Sequence, residues 1–235
     1  MYSSATTDPG ARAHGCTRGF VADTGACGCT EPAEHDVAAI AARPRWALER
    51  TLALPGRCRG SVLARWADNC RRHFGAAAVQ RLRTQLPAWA RALPDDPPED
   101  AWFPVGLQLH LTELVIDTLL GGDALQLEAL LRADIQRGLS RAQQLLLRTV
   151  GPTLVLSRAD ALHGHLYDVG HARARVHGGR ATIDCEGAAL FGHPTWLLLQ
   201  LFAHRGLVAL TGREALEARA TATGETAVRF ELSWR

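Results

Sequence analysis

A chain of 235 residues with 47% hydrophobic and 21% charged content is long enough for a well-buried core and too apolar to be disordered. Its 26 basic residues, all arginine, face 24 acidic ones; a net charge of +2 with scattered arginines argues against a nucleic-acid partner. Six cysteines are too few to scaffold a chain this size, no charged-then-apolar signal segment opens it, and no run is long enough to span a bilayer, so the expected setting is the cytoplasm.

Residues 1–35 are Ser, Thr, Gly, Ala and Cys without helical or strand period, and read as a mobile tail. The tail holds Cys16 and Cys27-Gly28-Cys29, flanked by His14 and His35. Thiolate and imidazole are zinc's preferred ligands, which makes Cys16, Cys27 and Cys29 candidate metal ligands or reactive thiols. The close pair is C-x-C, however, and not the common C-x-x-C knuckle.

Residues 36–58 read as a helical lead-in, broken at Arg43-Pro44 and ended by Pro55-Gly56, and 59–235 as one α+β domain. After Arg59-Gly60-Ser61, with Ser61 as a possible cap, Val62, Leu63, Trp66, Cys70 and Phe74 recur at helical spacing up to Gly75. A further helix covers 76–86, and Pro94 to Pro98 mark a loop. Trp102-Phe103-Pro104 introduces the longest helical pattern, with Leu107, Leu111, Leu114, Val115 and Leu119 on one face. Gly121-Gly122-Asp123 breaks it and caps a helical stretch over 124–150, in two pieces around Gly138; Gly151-Pro152 stops that stretch, and 154–167 is one more helix.

The C-terminal part reads as hairpin, helix, hairpin. Residues 171–177 and 180–185 alternate about Gly178-Gly179, a pair that accepts the positive φ of a tight turn. Ala181, Ile183 and Cys185 then share one face. Pro194 opens an apolar helix running to about Leu210, with Gly212 after it. In the second hairpin Leu216, Ala218, Ala220 and Ala222 alternate, Thr223-Gly224-Glu225 turns, and Val228, Phe230, Leu232 and Trp234 alternate back. The fold class is therefore α+β: a helical N-terminal half packed on a four-stranded antiparallel sheet crossed by one helix.

Two polar groupings invite chemistry. His110 and Glu113 lie one turn apart and are the candidate acid/base pair of an enzyme reading; His163, His165 and His171 lie within nine residues, at a spacing that suits neither a helix-face metal pair nor a knuckle. No phosphate-loop, nucleophile-elbow, zinc-protease or dinucleotide motif occurs.

From Arg59 onward, the order of short motifs resembles a family of about 200 residues expanded as paralogues in myxobacteria. The motifs are Arg59-Gly60-Ser61-Val62, His73-Phe74-Gly75, Trp102-Phe103-Pro104, Gly121-Gly122-Asp123, Tyr167-Asp168-Val169-Gly170 and the closing Phe230 to Trp234. That family is similar in architecture to the 4-vinyl reductase small-ligand domain and to heme nitric-oxide-binding sensors. The resemblance implies a sensory or adaptor role, often as a dimer, rather than catalysis. The cysteine usual between the last two strands of such relatives is missing, and no histidine here falls on a heme-ligand motif.

The expectation is a non-enzymatic regulatory or adaptor domain that works through a protein partner or self-association. No cofactor is expected, and a small apolar ligand is placed between helices and sheet near Trp102, Leu111, Val115, Trp196 and Phe202. The alternatives are a metal- or redox-responsive sensor using the tail cysteines, and an enzyme of unknown class.

Overall fold

The C-terminal hairpins form where alternation and glycine placed them. Strands β4 (His171–His177) and β5 (Arg180–Glu186) pair antiparallel about Gly178 and Gly179, whose φ values are +56° and +81°. Strand β6 (Ala215–Gly224) returns through β7 (Ala227–Trp234), turning at Glu225-Thr226, one residue past the predicted centre. The expected four-stranded antiparallel sheet is present. It gains a fifth, three-residue strand, β1 (Glu34–Asp36), on the β6 edge, so the order is β1-β6-β7-β5-β4. This computed structural model describes residues 34–91, 97–137 and 139–235.

The inner face carries Ala181, Ile183 and Cys185 from β5 and Val228, Phe230 and Leu232 from β7, all buried as the period of two requires. Leu216 departs from that pattern. The β6–β7 register shifts between Ala215 and Glu217; a bulged residue leaves the alternation, and Leu216 is turned out to solvent.

Ten helices occur among the described residues. α1 (Val37–Ala41) and α2 (Leu48–Leu52) flank the predicted proline break, with Asp36 capping the first through Ala39 N–H. α3 (Gly60–Phe74) buries Leu63, Trp66 and Cys70, and its N-cap is Arg59, with no capping side chain, so Ser61 is not the cap. α4 (Ala76–Gln85) and α5 (Ala88–Arg91) follow. α6 (Val105–Leu119) is the central helix. It is buried almost all round, including Leu109 and Ile116, which lie off the predicted stripe. Asp123 caps a 3-10 turn leading to α7 (Leu127–Arg137), and a Ser140/Gln143 capping box opens α8 (Arg141–Leu156), which kinks at Gly151. α9 (Ala159–Leu166) leads into the sheet, and α10 (Pro194–Leu210) crosses its inner face.

One feature has no periodic signature: strands β2 (Arg57–Arg59) and β3 (Trp102–Pro104) pair as a separate two-stranded ribbon before α3 and α6. Close approaches fix this corner. A Cβ on Gly60 would lie 1.9 Å from the Pro98 carbonyl oxygen. Gly170 has φ +67° and sits under the Phe191 ring, where a Cβ would come within 2.4 Å. Only glycine fits both places without backbone movement. No helix among the described residues is long and apolar enough to cross a membrane.

Candidate functional site

The helical layer and the sheet do not close completely on each other. A cavity of about 560 Å³ lies where α3, α7, α8 and α9 meet α10 and strands β4 and β5. That volume suits a drug-sized molecule. Trp66, Leu131 and Leu156 form its helical wall, Ala172, Ile183 and Cys185 its sheet wall, and Leu199, Ala203 and Leu207 project from α10.

Its polar lining is of two kinds. Gln108, Tyr167, His163 and His204 are buried. Arg65, Glu99 and His165 are exposed, and Arg65 is tied to Asp134, with Nη2 to Oδ2 at 2.7 Å. Gln108 Nε2 donates to the Tyr167 hydroxyl at 3.1 Å, and burial pushes that phenol's pKa well up. The His163 ring Nε2 is 2.9 Å from the Val169 carbonyl oxygen, and burial lowers its pKa. Burial takes His204 down to about 4, so the ring is neutral at pH 7. Burial also raises the Cys185 thiol to about 12, leaving it protonated.

Ring contacts run without a gap from Tyr167 to His204, both on the cavity border, through the core rings Phe191, Trp196 and Phe230. Tyr167 lies 5.2 Å from His163, and His163 5.6 Å from Phe191, between ring centroids. Phe191 meets Trp196 at 4.8 Å, Trp196 meets Phe230 at 5.8 Å, and Phe230 meets His204 at 5.3 Å. These offset and edge contacts suit aromatic quadrupoles.

The pocket residues expected from sequence sit elsewhere. Trp196, Phe202 and Val115 are at most 1% exposed and belong to the packed core, outside the cavity lining. Leu111 borders a smaller void of about 90 Å³ between α3, α4 and α6. Trp102 lies on β3 beneath the Arg59 guanidinium, 4.3 Å from its ring centroid. Sequence reasoning missed Gln108, Ala203 and the α7 and α9 walls; His204 had one visible signal, a lone imidazole inside the most apolar run.

Most of the family-motif residues gather at the ribbon corner. Arg59 Nη1 donates to the Asp100 carbonyl at 2.6 Å, Gly60 allows the Pro98 loop to approach, and Tyr167 borders the cavity. Asp168 accepts from Arg57, and Gly170 holds a left-handed turn. Trp234 lies apart, at the end of β7, where its N–H donates to the Gly179 carbonyl.

The acid/base pair is not assembled. Glu113 Oε1 accepts from the Thr195 hydroxyl at 2.8 Å and lies 3.9 Å from His193 Nε2, which is 3.1 Å from Thr51 Oγ1. His110 has an enclosed Nε2 with no partner and takes no part in this cluster. The cluster is enclosed, with His193 at 0% and Glu113 at 7% exposure, and none of its members borders the 560 Å³ cavity. The three histidines near the α9–β4 joint diverge as well. His163 turns inward, His165 is exposed, and His171 lies 3.6 Å from Glu186. Among the described residues no group of three or more His, Cys, Asp or Glu could hold a metal. Cys16, Cys27 and Cys29 lie outside the described residues.

No family model matches the chain, and no curated protein does. Solved structures do. The Fe(II) unliganded H-NOX protein from K. algicida matches at TM-score 0.56 with 10% identity, covering 75% of this chain and 96% of that one. A point mutant of the same protein matches at 0.54 with 13% identity, covering 75% and 96%. A structure probing heme distortion in the H-NOX family matches at 0.51 with 10% identity, covering 75% and 95%. The chain shares the H-NOX fold.

At such identities the likeness is one of fold, so the lining must decide whether heme fits. An axial histidine is normally held by a second-shell acceptor on its other nitrogen. His204 has no such acceptor, and its Nδ1 is enclosed without a partner. His163 does have such an acceptor, the Val169 carbonyl at Nε2, whereas Cys185 is held as a thiol. The carboxylates of a heme would need cations, and the one arginine of the described lining, Arg65, is already paired with Asp134. Among the described lining residues His163 is thus the one imidazole backed as an axial ligand would be, and with no unpaired arginine for the carboxylates the lining fits heme poorly.

Proposed function

We propose that this chain is a non-enzymatic regulatory domain that binds a small, mostly apolar molecule in the cavity between helices and sheet. The observation that carries the reading is the cavity itself, about 560 Å³ and walled by leucine, isoleucine and alanine side chains, several times the size of the 90 Å³ void beside Leu111. The fold likeness to H-NOX proteins and the motif order resembling a myxobacterial paralogous family both support a sensory role. Occupancy by a ligand would join α3, α7, α9 and α10 through one molecule, and the output is passed on by contact with a protein partner or a second copy of the chain. The enclosed Glu113–His193 cluster offers a substrate no approach, which weighs against the enzyme reading.

The test is uptake of N-phenyl-1-naphthylamine, a neutral probe whose fluorescence rises in apolar surroundings. Saturable uptake by the wild type is expected, with at least a tenfold loss in Ala203→Phe, which fills the cavity from α10. Absence of uptake by the folded wild type, or uptake unaffected by Ala203→Phe, would overturn the proposal.

A further inference from the structure

The cavity also indicates what kind of molecule it takes; this inference rests on the binding just proposed. Two polar side chains on its border have hydrogen-bonding capacity that the protein does not meet. Gln108, 3% exposed, donates Nε2 to Tyr167, and its Oε1 is enclosed with no partner. Exchanging the amide ends would let Oε1 accept the Tyr167 proton and would orphan Nε2 instead, so one end stays unmatched in either assignment. His204, 7% exposed, meets the Phe230 ring edge-on and hydrogen-bonds no described residue. A neutral imidazole carries one donor and one acceptor. Among the described residues three further enclosed atoms lack a partner, His110 Nε2, His193 Nδ1 and Trp196 Nε1, but none of them borders the cavity; Gln108 and His204 are the two that lie beside a space large enough to hold a partner.

The charge pattern narrows the class. The buried polar members of the lining, Asn69, Gln108, Tyr167, His163 and His204, are uncharged at pH 7. Arg65, the one arginine among the described lining residues, is half-exposed and paired with Asp134, so no unpaired guanidinium there waits for a carboxylate or phosphate. The lining carboxylate Glu99 is exposed, so a ligand charged at its buried end would lose its hydration there without a counter-charge.

We infer that the ligand is a neutral molecule with an apolar body and one polar head that both donates and accepts hydrogen bonds (an alcohol, a phenol or an amide), seated with that head toward Gln108 and His204. Gln108 Oε1 and His204 Nδ1 are enclosed, so the head reaches them with a small rotation of each side chain, supplying a donor to the Gln108 oxygen and a partner to the imidazole, while the body lies against Leu131, Ile183, Leu199 and Leu207.

The experiment compares 2-naphthol with naphthalene at pH 7, where both are neutral, as competitors of N-phenyl-1-naphthylamine on the full chain. Wild-type protein is expected to prefer 2-naphthol by about tenfold, the size of one well-made buried hydrogen bond. In Gln108→Leu or His204→Leu the ratio of the two affinities falls below twofold, each measured against that variant's own uptake of N-phenyl-1-naphthylamine. Near-UV circular dichroism checks that each variant is folded; if removing the Tyr167 partner unfolds Gln108→Leu, His204→Leu alone decides. Naphthalene binding as tightly as 2-naphthol to the wild type would overturn the head-group inference and leave the cavity reading standing, with water as the partner of the two side chains. A preference retained in the folded variants would overturn it in the same way. Failure of all three compounds to bind would overturn both.

Discussion

Asp168 and Arg57, 111 residues apart, are joined three ways. Oδ1 accepts the Arg57 backbone N–H at 2.6 Å, Oδ2 accepts the guanidinium Nε at 2.5 Å, and the Asp168 N–H donates to the Arg57 carbonyl at 3.1 Å. This clasp holds the β2–β3 ribbon against the joint between α9 and β4, beside the Tyr167 wall of the cavity. Partial burial opposes ionisation of Asp168, but the Arg57 hydrogen bonds and charge outweigh it and hold the carboxyl below its ordinary range. A depressed carboxyl contributes stability above its unfolded pKa, near 4, and loses it as pH falls through the lower folded value. Asp168→Asn should therefore cost about 1–2 kcal/mol at pH 7, allowing for the clasp's exposure. Urea unfolding at pH 7 and pH 3 checks this; the gap between variant and wild type should narrow in acid.

The clasp also shows where sequence reading stops. The hairpin about Gly178-Gly179, the proline break before α2 and the start of α10 at Pro194 were legible because each depends on residues close in the chain. The β2–β3 ribbon was not, since two three-residue strands 45 positions apart carry no period. The cavity was half legible. A space between helices and sheet follows from the architecture, but its lining combines α3, β5 and α10, and apolarity does not distinguish a filled place from an empty one. Trp196 and Phe202 were reasonable pocket residues on composition and are instead the core that closes one side. The Leu216 bulge was hidden for the same reason, because register belongs to the pairing and not to the strand.

Two buried histidines predict acid sensitivity. Burial, with the Arg50 charge added at His193, lowers His193 to about 4, and burial alone lowers His204 to about 4. Between pH about 6.5 and 4 the unfolded chain binds protons at these sites that the native state refuses, so stability falls with pH across that window. Each histidine contributes roughly 2–3 kcal/mol at most. Thermal unfolding from pH 7.5 to 4.5 should show a falling midpoint, and His204→Leu should flatten the slope. An unchanged slope in that variant would show that His204 does not resist protonation.

Glu113 predicts the opposite sign. Burial raises its pKa, opposed by the Thr195 hydrogen bond and the Arg45 charge. A raised carboxyl contributes stability below its unfolded pKa and loses it as pH rises through the folded value. Glu113→Gln keeps an oxygen for Thr195 and removes the charge, so its unfolding midpoint at pH 7 should equal or exceed that of the wild type, the gain shrinking in acid. Thr195→Val, which removes the donor at 2.8 Å, should instead cost roughly 1–3 kcal/mol. Paired denaturant curves for the two variants separate a need for charge from a need for a hydrogen bond.

The core thiols predict where any redox response must come from. Cys58, Cys70 and Cys185 are each at most 3% exposed, and burial raises every one to about 12. The thiolate is the nucleophile, so at pH 7.5 these three are almost wholly unreactive while the fold is intact. Brief treatment with iodoacetamide followed by peptide mass spectrometry should find them unmodified in native protein and fully modified in denaturant. Cys185 is the sensitive reporter of the three, because its side chain borders the cavity. If it is labelled in the native state and N-phenyl-1-naphthylamine suppresses the labelling, reagent and probe enter the same space. A native protein that responds to oxidant while Cys58, Cys70 and Cys185 stay unlabelled would assign that response to Cys16, Cys27 or Cys29, the remaining cysteines of the chain.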